Sequence, residues 1–104
     1  MTEHFNKLTE GEAELLALLA EEMGEAIQII GKILRHGYDS THPDEPFGPD
    51  NREILEKELG DVRCAMILLC EAGDLRKEAI HRHADDKRER VGKYLHHQPG
   101  KEAL

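Results

Sequence analysis

The chain has no tryptophan, and phenylalanine and tyrosine together make up only 4% of it. A β-sandwich or barrel of this size leans on aromatic and β-branched residues for its core. Here the 38% of hydrophobic residues come mainly from Leu, Ile, Ala and Met, which suits packed helices. No apolar run approaches the roughly 18 residues of a transmembrane helix, and no apolar signal segment opens the chain. The expectation is a soluble, cytoplasmic protein. There are two cysteines, Cys64 and Cys70. Their separation places them on different faces of a helix, so they read as reduced core residues rather than a disulfide. No basic run offsets the net charge of −8, which argues against a general nucleic-acid backbone binder. A phosphate ligand stays open, because a bound metal reverses the local sign. There is no internal repeat and no low-complexity segment. The 104 residues suit one domain, 1–104, with a lead-in over 1–8 and a frayed tail over 96–104.

What is present is helical periodicity with clear punctuation. Thr9-x-x-Glu12 reads as a capping box opening a first helix that runs to about Arg35, with Gly37 placed to end it. Phe5 and Leu8 are candidate anchors ahead of it. Asp50-x-x-Glu53 reads as a second capping box, for a helix from about Asn51 to Glu71 ending at Gly73. Asp74 is then placed to cap a third helix, from about Leu75 to Tyr94 or Leu95. That helix has a thin apolar seam of Ile80, Ala84, Val91, Tyr94 and Leu95. Tyr38 to Pro49, with three prolines, is a long irregular connection, and such connections are often functional. Two readings of it are open, a solvated loop or a segment that covers a ligand or reaches a partner. Gly24 and Gly31 inside the first helix likewise read either as tolerated, at about 1 kcal/mol each, or as room for a close helix or ligand.

The informative feature is where the acids fall. At about 100° per residue, Leu15, Leu19, Ala26, Ile29, Ile30 and Ile33 share one face of the first helix. Glu22 lies in the middle of that face and Glu25 at its edge beside Leu18. In the second helix Leu55, Leu59, Val62, Met66 and Leu69 form the stripe, with Glu58 inside it and Asp61 on its flank. Each helix thus carries a carboxylate pair at i, i+3 directed toward the core, a spacing that makes the side chains neighbours. Uncompensated buried carboxylates cost several kcal/mol, and like charges add to the cost. The ways out are protonation, pairing with Lys or Arg, or a shared cation. The same pattern on two helices favours the cation. An all-oxygen ligand set suits Mg²⁺, with Mn²⁺ as a substitute. A ferritin-like di-iron site would want Glu-x-x-His, and neither acidic motif contains His. Carboxylate-held Mg²⁺ commonly leaves positions for phosphate oxygens.

Glu21-Glu22-x-x-Glu25 followed by Glu58-x-x-Asp61 resembles the signature of the MazG-like all-α nucleoside triphosphate pyrophosphohydrolases, whose relatives include dimeric dUTPases and phosphoribosyl-ATP pyrophosphohydrolases. The likeness extends from about Glu12 to Tyr94. It implies Mg²⁺-dependent cleavage between the α- and β-phosphates, giving a nucleoside monophosphate and pyrophosphate. Under it, Glu22, Glu25, Glu58 and Asp61 are the metal ligands. Glu21, which points off the core stripe, would orient or deprotonate the attacking water or help with a second metal. Lys87 and Arg90 on the third helix would hold the triphosphate; the plain alternative is a solvated charged face. Lys32, with Gln28, is a further substrate-binding candidate. Asp85 stands where many such proteins have an Asn shortly before this Lys, a departure at the sugar or base contact. The His81/His83 and His96/His97 pairs read as surface residues.

Two strongly amphipathic helices and a weak third do not close a core. The expectation is therefore an all-α helical bundle, its four-helix core completed by a homodimer or homotetramer. Two other readings stand beside the hydrolase: a non-enzymatic acidic helical dimerisation or regulatory module, and a hydrolase of another diphosphate-linked nucleotide such as phosphoribosyl-ATP.

Overall fold

In the computed structural model, residues 5–99 are described; the outer parts of the expected lead-in and tail, 1–4 and 100–104, lie outside them. The described residues are helical, with α1 at Glu10–His36, α2 at Asn51–Glu71, α3 at Lys77–Val91 and a 3-10 turn at Gly92–Tyr94. They form two compact units, one ending at Asp74 and one starting at Leu75.

Both capping boxes form. The Thr9 hydroxyl accepts from the Glu12 amide while the Glu12 carboxylate accepts from the Thr9 amide. Asp50 and Glu53 make the same reciprocal pair at the start of α2. Each box satisfies two of the amides that a helix start leaves without partners. At the other end of α1, Gly37 takes φ +91° and its amide donates to the Ile33 carbonyl. α2 ends in a Schellman motif. Gly73, at φ +83°, donates to the Cys70 carbonyl, and Asp74 donates to the Leu69 carbonyl. That conformation favours glycine.

The expected start of α3 shifts too. Asp74 closes the α2 motif, and the cap position of α3 falls at Arg76 rather than at Asp74. The chain runs extended through Arg76, and α3 begins at Lys77 with no side-chain cap. α3 ends at Val91, short of the expected Tyr94, and tightens into the 3-10 turn. Within this unit Ile80 and Val91 are half-buried, while Ala84 and Tyr94 are exposed.

The connection between α1 and α2 is folded back onto its own ends. The Asn51 amide donates to the Ser40 carbonyl, Arg52 donates to the Tyr38 carbonyl, and buried Asn51 gives its side-chain amide to the Gly37 carbonyl. Arg52 also pairs with Asp39 at 2.6 Å and stacks over the Tyr38 ring. These contacts seat the end of α1 against the start of α2, so the two helices run antiparallel. Phe47, at the outer bend, is fully exposed.

The strip between α1 and α2 holds the buried apolar side chains Ala26, Ile29, Ala65 and Leu69, with Leu15, Leu19, Ile33, Leu55, Val62 and Met66 half-buried around them. Ile30 and Leu59, expected in the stripes, are exposed. One partner helix covers only part of a helix circumference, and these two lie on the flank it leaves open. Phe5 is exposed too, and Leu8 half-buried. Cys64 and Cys70 are free as expected, but Cys64 is exposed rather than core. A Cβ added at Gly24 or Gly31 would meet nothing within 4 Å, so neither glycine serves a close approach of helices within this chain.

The open flank has a pattern. Leu16, Met23, Ile27, Ile30 and Leu34 on α1 are all exposed, Ile27 at 69% and Leu34 at 82%. With Ala20 they fall at alternating steps of four and three, the spacing of a helix seam. The seam lies roughly a third of a turn from the strip that meets α2. On α2, Leu59 and Cys70 lie about a quarter of a turn round from that strip, with Met66 at its edge between them. Because the helices are antiparallel, both rotations open on the same side of the pair. The hairpin therefore has one apolar flank, and Glu25 and Asp61 sit toward the other.

Candidate metal centre

Glu22 and Glu25 stand one turn apart on α1, and Glu58 and Asp61 one turn apart on α2. All four are half-buried, and one carboxylate oxygen from each lies within 4.8 Å of the others. Helical spacing supplies each pair, and the tie between the end of α1 and the start of α2 sets the register that brings the pairs opposite each other.

Two oxygens of the cluster have no hydrogen-bond partner among the described residues. Glu22 Oε2 and Glu58 Oε2 are shut off from solvent and make no hydrogen bond. An unsatisfied buried carboxylate oxygen costs far more than a surface one. Burial pushes the Glu58 carboxyl above its usual range, and hydrogen bonding to Glu25 and the charges of Glu25 and Asp61 push the same way; nearby Lys57 opposes them. The outer rim does have a cation. Lys57 Nζ lies 2.8 Å from Asp61 Oδ2 and 3.6 Å from Glu58 Oε1. Asp61 first, then Glu58 and Glu25, hold the Lys57 ammonium above its ordinary range. Sequence reading missed Lys57. It could have been found from its position, four residues before Asp61 and next to Glu58, on the edge of the acidic flank.

Four carboxylates that bring one oxygen each to within 4.8 Å of the others, two of them with orphaned inner oxygens, have the donor chemistry of a hard divalent cation. Six oxygens complete an octahedral Mg²⁺ shell. These residues would supply up to four and leave positions for water or phosphate. No cysteine or histidine belongs to the cluster, which disfavours zinc.

The other expected site residues are placed less tightly. Glu21 is exposed on α1, one turn before Glu25. Lys32, seven residues after Glu25, is exposed. Lys87 and Arg90 are exposed on α3, in the second unit, where Arg90 Nε donates to the Asp86 carbonyl. Among the described residues no helix is long and apolar enough to cross a membrane. In comparisons with known proteins, the chain matches no protein-family model, no curated protein and no solved structure.

Proposed function

We propose that the protein is a Mg²⁺-dependent hydrolase of a (deoxy)nucleoside triphosphate that cleaves between the α- and β-phosphates, releasing a nucleoside monophosphate and pyrophosphate. One observation carries the reading: the convergence of Glu22, Glu25, Glu58 and Asp61, with two inner oxygens lacking any donor. The resemblance of Glu21-Glu22-x-x-Glu25 and Glu58-x-x-Asp61 to the MazG-like pattern gives that cluster its chemistry. Mn²⁺ is the expected substitute metal.

In this reading the four carboxylates hold the cation, which when bound neutralises phosphate charge and acidifies water. Glu21 keeps its carboxylate exposed beside Glu25. That position suits it to orient a water and take its proton, since a general base must be within hydrogen-bond reach of the water it serves. Within the first unit Lys32 is the candidate partner for triphosphate oxygens; Lys87 and Arg90, on the second unit, are candidates only through the sequence resemblance. A cytoplasmic location fits free nucleotide substrates.

A homodimer, or a dimer of dimers, belongs to the same proposal. The seam Leu16, Met23, Ile27, Ile30 and Leu34 has the spacing of a helix partner, and Leu59 widens it on α2. A second copy of the hairpin would complete a four-helix core. The alternative, an acidic dimerisation module without catalysis, accounts for this seam as well but not for orphaned carboxylates facing inward. A hydrolase of phosphoribosyl-ATP or a similar diphosphate-linked nucleotide would use the same residues.

The test is incubation with each (d)NTP, and with phosphoribosyl-ATP, in Mg²⁺ and ¹⁸O-water. The proposal expects monophosphate and pyrophosphate, with label in the monophosphate. A nucleoside diphosphate with labelled orthophosphate would overturn the assignment of the cleaved bond.

A further inference from the structure

We propose that Lys57 is a tethered counter-cation that occupies the acidic cluster when no metal is bound and competes with the divalent cation for it. The proposal rests on the metal-site reading above and adds a device that sets how much metal the site requires.

The geometry is specific. Lys57 Nζ reaches one oxygen from each of the two cluster acids of α2, Asp61 at 2.8 Å and Glu58 at 3.6 Å. It approaches from the rim, with its side chain 67% exposed, while the Glu58 side chain is only 13% exposed. The oxygens it leaves untouched include the two solvent-shielded ones, Glu22 Oε2 and Glu58 Oε2. One positive charge thus stands against four carboxylates, Glu22 and Glu25 from α1 and Glu58 and Asp61 from α2. Two of these are partly neutralised at the mouth and none at the floor.

A divalent ion entering the cluster meets that ammonium either way. If it takes the Asp61 oxygen, the Lys57 hydrogen bond must break. If it binds the inner oxygens and Lys57 stays, two positive centres sit within a few ångströms of each other. Both routes lower metal affinity. The effect has a ceiling, because an exposed i, i+4 pair is weak, and the order Lys before Asp is the less favourable one on a helix. Release of an exposed lysine is therefore easy, and Lys57 tunes the site without closing it. At a separation of about 5 Å in a water-like medium, a unit charge acting on a divalent ion changes its affinity by roughly tenfold before salt screening.

The measurement is Mn²⁺ binding by electron paramagnetic resonance to the full chain at fixed ionic strength. The proteins are the parent, Lys57→Met, Lys57→Gln, Lys57→Arg and the charge-matched control Lys77→Met, each checked for helical content. The expected result is Mn²⁺ binding three- to tenfold tighter in Lys57→Met and Lys57→Gln, with Lys57→Arg and Lys77→Met within twofold of the parent. In EDTA, Lys57→Met should melt below the parent, and Mn²⁺ should raise its melting temperature by more. Equal or weaker Mn²⁺ binding in both neutral variants, with the parent binding normally, overturns the counter-cation and leaves the metal site standing. Absence of Mn²⁺ binding in the parent and every variant overturns the metal site itself, and the counter-cation with it.

Discussion

Across the interface of α1 and α2, Glu22 and Glu58 each hold an Oε2 atom out of solvent with no hydrogen-bond donor to meet it. A helical pair that needed only stability would place Leu or Ala at these positions. Ala26, Ile29, Ala65 and Leu69 do so further along the same strip. The arrangement costs the metal-free protein stability, and that cost gives the account its measurable consequences.

The pH dependence is one of them. Glu58 is raised from its ordinary value of 4.5, first by burial and then by Glu25. The folded state therefore binds more protons at Glu58 than the unfolded chain does, and this contribution to stability falls as pH rises. It is fully present below the ordinary carboxylate range and lost as pH climbs through the raised value. In EDTA, the melting temperature of the parent relative to Glu58→Gln should decline over that window. Mg²⁺ should change the sign of the comparison, because the cation binds the carboxylate and its stabilisation grows as Glu58 deprotonates. A parent–variant difference that is flat with pH in EDTA would remove the acid-cluster strain.

The small core gives a second prediction. Leu69 is 1% exposed and is the largest fully buried side chain among the described residues. Leu69→Ala should cost about 2–5 kcal/mol, read as a loss in denaturant midpoint at unchanged slope. Gly31→Ala, where an added Cβ meets open space, should instead gain up to about 1 kcal/mol from helix propensity.

Assembly gives a third. If the apolar flank is shared between copies, the parent should sediment as a dimer or larger at micromolar concentration. Ile27→Lys with Leu34→Lys should then shift it toward monomer and lower its stability. A parent that sediments as a folded monomer, with the double variant equally stable, would leave the seam without a partner.

Much of this fold is written locally. Thr9 with Glu12 and Asp50 with Glu53 announce the helix starts, and Gly37 and Gly73 announce the ends, because caps depend on residues within one turn. The acid pairs were legible for the same reason, as i, i+3 spacing on an apolar stripe needs only the helical period. What escaped depends on contacts or competition between elements. Asp74 has the chemistry of a cap, but it serves as the closing residue of the α2 motif, and the helical backbone resumes only after Arg76. Ile30 and Leu59 have the periodicity of core residues, and only the width of the partner helix decides that they stay exposed. Lys57 reads as one more solvated lysine until the register of α1 against α2 assembles the four carboxylates beside it.

The central claim is that Glu22, Glu25, Glu58 and Asp61 form one cation site, and paired thermal melts test it most directly. The parent, Glu22→Gln and Glu21→Gln are each melted in EDTA and in Mg²⁺. An ion that binds only the folded state adds about RT ln(1 + [Mg²⁺]/Kd), roughly 2.7 kcal/mol at one hundred times Kd. The account predicts that the parent shows this increment. In Glu22→Gln most of it should vanish while the EDTA melt stays level or rises, because one of the repelling charges is gone. Glu21→Gln should keep the increment and lose turnover. If Glu22→Gln unfolds more easily in EDTA and keeps its full Mg²⁺ response, Glu22 is a structural residue and the cation site is refuted.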